Sequence, residues 1–150
     1  MIEIAIESAV PIQQSWLYLI ENAVRTTLDQ QGWAEPATVS VLLTDDDTIQ
    51  KLNRDFRGID KPTDVLSFED GESPFPDAPV HLGDIAISVP YALRDAEREG
   101  WGESAEFQLI AVHGTLHLLG HDHGDDDEKA RMWAAQEKIL RSLDVEIKID

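Results

Sequence analysis

Ile2, Ile4 and Ile6 alternate with Glu3 and Glu7, the two-residue period of a strand with one buried face. From Pro11 to about Gln31 the apolar set Ile12, Trp16, Leu19, Ile20, Ala23, Val24 and Leu28 follows a helical period. Pro11 suits a first turn there, and Gly32 a stop. Residues 38–43 (TVSVLL), β-branched and apolar, predict a second strand. The acidic run Asp45–Asp47 suits the positive end of a helix dipole, and Ile49, Leu52 and Phe56 supply that helix with an apolar stripe. Helix signals stop around Gly58–Pro62, after which Val65–Phe68 and Leu82–Val89 read as strands. Between them Glu69–Pro79, rich in Pro, Asp and Gly, reads as a mobile surface loop. Residues 90–99 form a short amphipathic helix ended by Gly100, and the next helix runs from about Ser104, its N-cap, to Leu119. The last begins near Asp125 and turns Ala130, Trp133, Ile139 and Leu140 inward.

The order β-α-β-α-β-β-α-α-α predicts an α+β fold, a mixed four-stranded sheet packed with about five helices. The two strands adjacent in sequence are expected to pair antiparallel, and strands separated by helices to run parallel. No repeat, low-complexity tract or linker interrupts the chain, so residues 1–150 are expected to form one domain.

Composition narrows the class. No apolar run approaches the ~18 residues that span a bilayer, and no basic-then-apolar signal segment opens the chain, which points to a cytoplasmic protein. The absence of cysteine excludes disulfides and thiolate metal sites. Net charge is −18, which taken alone argues against nucleic acid, because phosphate binding is driven by cations. A local cluster of Arg and Lys on an acidic body escapes that objection.

Residues 113–123 read His-Gly-Thr-Leu-His-Leu-Leu-Gly-His-Asp-His, holding four of the five histidines. His113 and His117, four apart on a predicted helix, project from one face about one turn apart, so both can hold one metal ion. A third ligand cannot lie on the same straight helix, which by residue 123 would be ~15 Å further along its axis. Gly120 removes the difficulty by ending the helix in a left-handed turn, after which His121 or His123 can reach back. The spacing His-x3-His-x2-Gly-x2-His is that of metzincin sites and puts the third ligand at His123, with His121 either a further ligand or a residue lining the pocket or facing solvent. Three histidines leave one position open on a zinc ion, as catalysis requires, whereas a structural zinc needs a fourth protein ligand. Asp122 is available for that role, but its side chain is expected to point away from its neighbours. In zincin proteases the residue after the first histidine is the Glu base, but here it is Gly114, which counts against peptide or ester hydrolysis. Glycine there leaves room for a substrate or a neighbouring backbone to come close.

The motif His113–His123 resembles the H-G-x-L-H-L-x-G-Y-D-H signature of the YbeY family of endoribonucleases, with His121 in the usual tyrosine position. Leu52-Asn53, Phe56-Arg57 and Lys61-Pro62-Thr63-Asp64-Val65-Leu66-Ser67-Phe68 resemble that family's second block. Gly83–Ser88 resembles its following strand, so the likeness covers most of the chain. The resemblance implies a zincin-like metal-binding helix and a zinc-dependent, single-strand-specific endoribonuclease. Its implied roles are 16S rRNA 3′-end maturation and ribosome quality control, in association with the small ribosomal subunit and its proteins. One zinc ion per chain is expected on His113, His117 and His123; no DNA or membrane partner is expected.

A zinc on three neutral imidazoles lowers the pKa of bound water towards ~7, and a ribose 2′-hydroxyl is the other available nucleophile. Either route builds negative charge on phosphorus, and Arg57, which matches the family's arginine, is the expected catalytic cation. Lys61, Arg54 and Arg94 are expected to extend a basic pocket around it. Asp64 and Asp84 are expected either to accept imidazole N–H groups or to cap turns. Phe68 and the four tryptophans are assigned to the core by default, with base stacking as the other role for Phe68. The competing reading is a ribosome-assembly factor in which zinc stabilises the fold and cleavage is weak or indirect.

Overall fold

The computed structural model describes residues 2–70 and 80–147. Its elements follow the expected order: strands β1 (Ile2–Ser8), β2 (Ala37–Thr44), β3 (Val65–Glu69) and β4 (Val80–Ser88), and helices α1 (Gln14–Gln30), α2 (Asp46–Arg57), α3 (Val89–Glu99), α4 (Glu103–Leu118) and α5 (Asp126–Ser142). The sheet order is β1-β2-β4-β3. β1 and β2 pair parallel, as do β2 and β4, while β3 lies antiparallel on β4 at the edge. The fold is therefore α+β with a mixed four-stranded sheet, as the patterning predicts. Of the loop expected over 69–79, Glu69 ends β3 and the Asp70 N–H reaches the Leu82 carbonyl; the rest lies outside the described residues.

One face of the sheet carries Val39, Val41, Leu43, Ile85 and Ile87, all buried against the helices. α4 is the central helix. Phe107, Ile110, Ala111, Val112, Leu116 and Leu118 bury it around most of its circumference, and it packs on α1, α3, α5 and β3. Trp16 of α1 meets Phe107 with ring centroids 4.8 Å apart. The helix bearing the histidine pair is thus held from several sides.

Three expectations shift. α1 begins at Gln14, not Pro11; Gln13 occupies the N-cap in extended conformation without a side-chain hydrogen bond. Gly102 caps α4, which places Ser104 inside the first turn. On α5 the buried stripe is Met132, Gln136, Ile139 and Leu140, with Ala130 exposed. Among the described residues no helix is long and apolar enough to cross a membrane.

Asp64, Asp95 and Glu106 bring carboxylate oxygens within 4.8 Å of one another where β3, α3 and α4 meet. Arg98 binds Asp95 at 2.6 Å, and Trp101 Nε1 donates to Glu106 at 2.6 Å. Glu106 is pushed up to about 7, chiefly by burial, with Asp95, Asp64 and Glu99 adding and the Trp101 hydrogen bond opposing. An acid raised on folding contributes its full stability below its unfolded value of 4.5 and loses it as pH rises to about 7. Above that, holding the charge costs roughly 3 kcal/mol at most. Glu106→Gln is therefore expected to raise the melting temperature at pH 8 and to match the parent near pH 4.5. Superimposable stability curves across that range would rule this out.

Candidate metal centre

His113 and His117 stand one turn apart on α4, as their spacing requires. Behind them α4 closes with two nested hydrogen bonds: the Gly120 N–H to the His117 carbonyl at 3.1 Å, and the His121 N–H to the Leu116 carbonyl at 3.0 Å. This is the Schellman pattern, and it needs Gly120 at φ +94°. The reversal carries His123 back so that ligand nitrogens of His113, His117 and His123 all lie within 4.8 Å of one another. Asp125 then caps α5 by accepting from the Glu128 N–H at 2.7 Å. Trp133 of α5 meets His113 and His123 edge-on, with centroids 5.9 and 5.8 Å away.

The hydrogen bonds of the rings decide what the nitrogens can do. His117 Nδ1 lies 2.9 Å from the His121 carbonyl, which can only accept, so Nδ1 carries the proton. His113 Nδ1 lies 2.9 Å from Gln136 Oε1, another acceptor. Both Nε2 atoms are then lone-pair bearers, and they face each other at 3.1 Å. Two neutral acceptors repel at that separation unless a cation sits between them. Tetrahedral zinc ligands at 2.0–2.1 Å stand about 3.3 Å apart, so the donor set fits a zinc-like ion. Burial is the main cause that holds both His113 and His117 below the ordinary imidazole range, which keeps them in the neutral, ligating form. His123 is the exposed member, which leaves the open side of the triad toward solvent.

Arg57 ends α2, next to Gly58 in left-handed conformation. It donates to the Ser67 carbonyl, and its guanidinium carbon lies 4.9 Å over the Phe68 ring. Ser67 Oγ in turn donates to the Gly114 carbonyl at 2.9 Å, one residue past His113. A single residue of β3 therefore ties the arginine to the histidine helix. Gly114 permits this contact: a Cβ there would meet Ile85 Cγ2 at 3.1 Å, Ser67 Oγ at 3.2 Å and Val65 Cγ2 at 3.3 Å. The room expected for a substrate or backbone is filled by these three side chains.

A cleft of ≈ 1370 Å³ joins the triad to Arg57 and Phe68, and Phe56 also lines it. The expected basic pocket is not formed. Lys61, Arg54 and Arg94 lie outside the lining; Arg54 pairs with Asp55 and Arg94 with Asp46. Arg57 is the lining's one cation among the described residues, against Glu7, Asp64, Glu69, Asp84 and Asp122. Neither Asp64 nor Asp84 serves the triad: Asp64 accepts from the Val65 N–H at 2.7 Å, and Asp84 lies 3.3 Å from His81 Nε2. His121 contributes its carbonyl, while its ring Nε2 lies 2.8 Å from Gln31 Oε1. Asp122 accepts from the His123 N–H and stays out of the ligand cluster. Gln136 is the partner that residue-by-residue reading misses; a polar residue in the buried stripe of α5 is its only trace.

The family model described as Endoribonuclease YbeY matches residues 3–144. Endoribonuclease YbeY of Roseiflexus sp. (strain RS-1) is 47% identical over 131 residues, which cover 83% of this chain and 82% of that protein. The protein of the same name from Heliobacterium modesticaldum is 41% identical over 147 residues, covering 91% and 89%. The solution structure of TM1509 from Thermotoga maritima superposes with a TM-score of 0.58 at 23% identity, covering 96% of this chain and 92% of that one. That likeness concerns the fold alone.

Proposed function

The chain belongs to the endoribonuclease YbeY family, and on that premise we propose that it is a zinc-dependent endoribonuclease of single-stranded rRNA. In this reading residues 1–150 act as one cytoplasmic hydrolase domain. Its work is 16S rRNA 3′-end maturation and ribosome quality control, beside the small ribosomal subunit. The observation that carries the metal is the pair of unprotonated Nε2 atoms 3.1 Å apart, each ring's other nitrogen already engaged. His113, His117 and His123 would hold one zinc ion through a zincin-like helix. A zinc so held supplies a Lewis acid for a phosphate oxygen and acidifies water to near-neutral pKa.

The chain's own residues do the rest. Gln136 and the His121 carbonyl fix both ring orientations and keep Nε2 free. Arg57 supplies the positive charge that a phosphorane-like transition state needs, with its side chain already braced on Ser67 and Phe68. Whether water or the 2′-hydroxyl attacks is decided by product ends: a 2′,3′-cyclic phosphate implicates the hydroxyl, a simple monoester implicates water.

The acidic lining of the cleft favours a second reading, an assembly factor whose zinc stabilises the fold and whose cleavage is weak or indirect. Metal removal separates the two. Chelation is expected to abolish cleavage of single-stranded rRNA while leaving the protein folded, because the apolar core does not depend on the triad. Added zinc is expected to restore it. Cleavage that survives chelation overturns the zinc mechanism. A zinc-loaded protein that cleaves no RNA and unfolds on chelation supports the assembly factor.

A further inference from the structure

Phe56 occupies the place in α2 where its stripe of Ile49, Leu52 and Asn53 would continue inward, yet it is 64% exposed. Lone exposed apolar residues are common, so exposure by itself means little. Three further observations set this one apart. The ring lines the cleft, and its neighbour in sequence is Arg57, the cleft's cation. It meets Phe68 edge-on, centroids 5.4 Å apart at 66°, a contact that steadies the ring without covering its face. The Phe68 face, by contrast, is already taken by the Arg57 guanidinium at 4.9 Å. Among the described residues Phe56 therefore offers a free aromatic face beside the group that would bind phosphate.

We propose that Phe56 is the stacking platform for an unpaired nucleobase flanking the phosphate held by Arg57, and that it makes the cleft select single-stranded RNA. Base faces inside a duplex are covered by their neighbours, so only an unstacked base can lie on this ring. The aromatic contact also adds affinity that does not depend on cations, in a cleft whose other charges are mostly acidic. The inference rests on the endoribonuclease reading.

The test uses the zinc-loaded protein, with Phe56→Ala and Phe56→Trp beside the parent. The substrate is a single-stranded RNA in which an abasic ribose is walked through the nucleotides around the scissile bond. Phe56→Ala is expected to raise KM about tenfold or more, with kcat little changed, and Phe56→Trp to keep the parental KM. At one abasic position the parent should lose as much as the alanine substitution costs it on intact RNA, the alanine variant should lose little more, and the difference between them should vanish. An unchanged KM in Phe56→Ala, or a difference that survives every abasic position, overturns the stacking role. A defect seen only on intact ribosomal subunits also overturns it, and makes Phe56 a protein-docking residue. A parent that cleaves no RNA overturns the endoribonuclease reading itself, an outcome distinct from cleavage with equal KM values.

Discussion

Alanine at His117 is expected to strip the protein of zinc and to lower RNA cleavage by about 10³-fold or more. The ring supplies one of two Nε2 atoms that face each other at 3.1 Å, and its orientation is set by the His121 carbonyl. Removing it leaves two imidazoles, fewer protein ligands than a catalytic zinc site uses. The half-buried ring also leaves space on α4, so a loss of activity could in principle reflect a damaged helix. His123→Ala guards against that, because its ring is the exposed member of the triad and lies outside the buried core, with only the edge of partly buried Trp133 against it on α5. Both variants are expected to lose zinc, measured as metal per chain after dialysis. The metal-free forms of His123→Ala and the parent are expected to melt together. Wild-type zinc content in either variant, or cleavage within about tenfold of the parent, would remove the triad from the mechanism.

That prediction draws on geometry largely visible in the chain. The pair at 113 and 117 follows from helical spacing, and the return of His123 follows from Gly120, the residue that can close a Schellman turn. What fixes the tautomers was hidden. The acceptor for His117 is a main-chain carbonyl, which carries no residue identity, and the acceptor for His113 comes from another helix. Hydrophobic patterning gave the element order and the antiparallel edge pair, because one sheet face is strictly buried. It misplaced Phe56, since an apolar residue at helical spacing reads as core even where the helix overhangs a cleft. Charge misled in the opposite sense. Charge alone groups Lys61, Arg54 and Arg94 with Arg57, but Arg54 and Arg94 each pair with a carboxylate and none of the three lines the cleft. Helix and strand order depend on local periodicity; which cation stays available depends on contacts between distant segments.

Arg57→Ala tests that isolated cation, and cleavage is expected to fall about 10²- to 10³-fold while zinc content stays at the parental level. The arginine's hydrogen bond goes to the Ser67 carbonyl and not to any of the three histidines, and Ser67 in turn binds the Gly114 carbonyl of their helix through its hydroxyl. Its removal therefore spares the ligands. It also spares the core, because the side chain lies on the cleft wall over Phe68. The loss should appear mainly in kcat, since charge on the phosphate oxygens grows toward the transition state. Arg57→Lys is expected to recover little. A lysine ammonium cannot bind the Ser67 carbonyl, lie flat on Phe68 and still present a planar fork to phosphate. Full recovery by lysine would mean that only charge is needed there, and equal cleavage by the alanine variant would remove Arg57 from the reaction. The described lining holds five carboxylates and no second arginine or lysine to take its place.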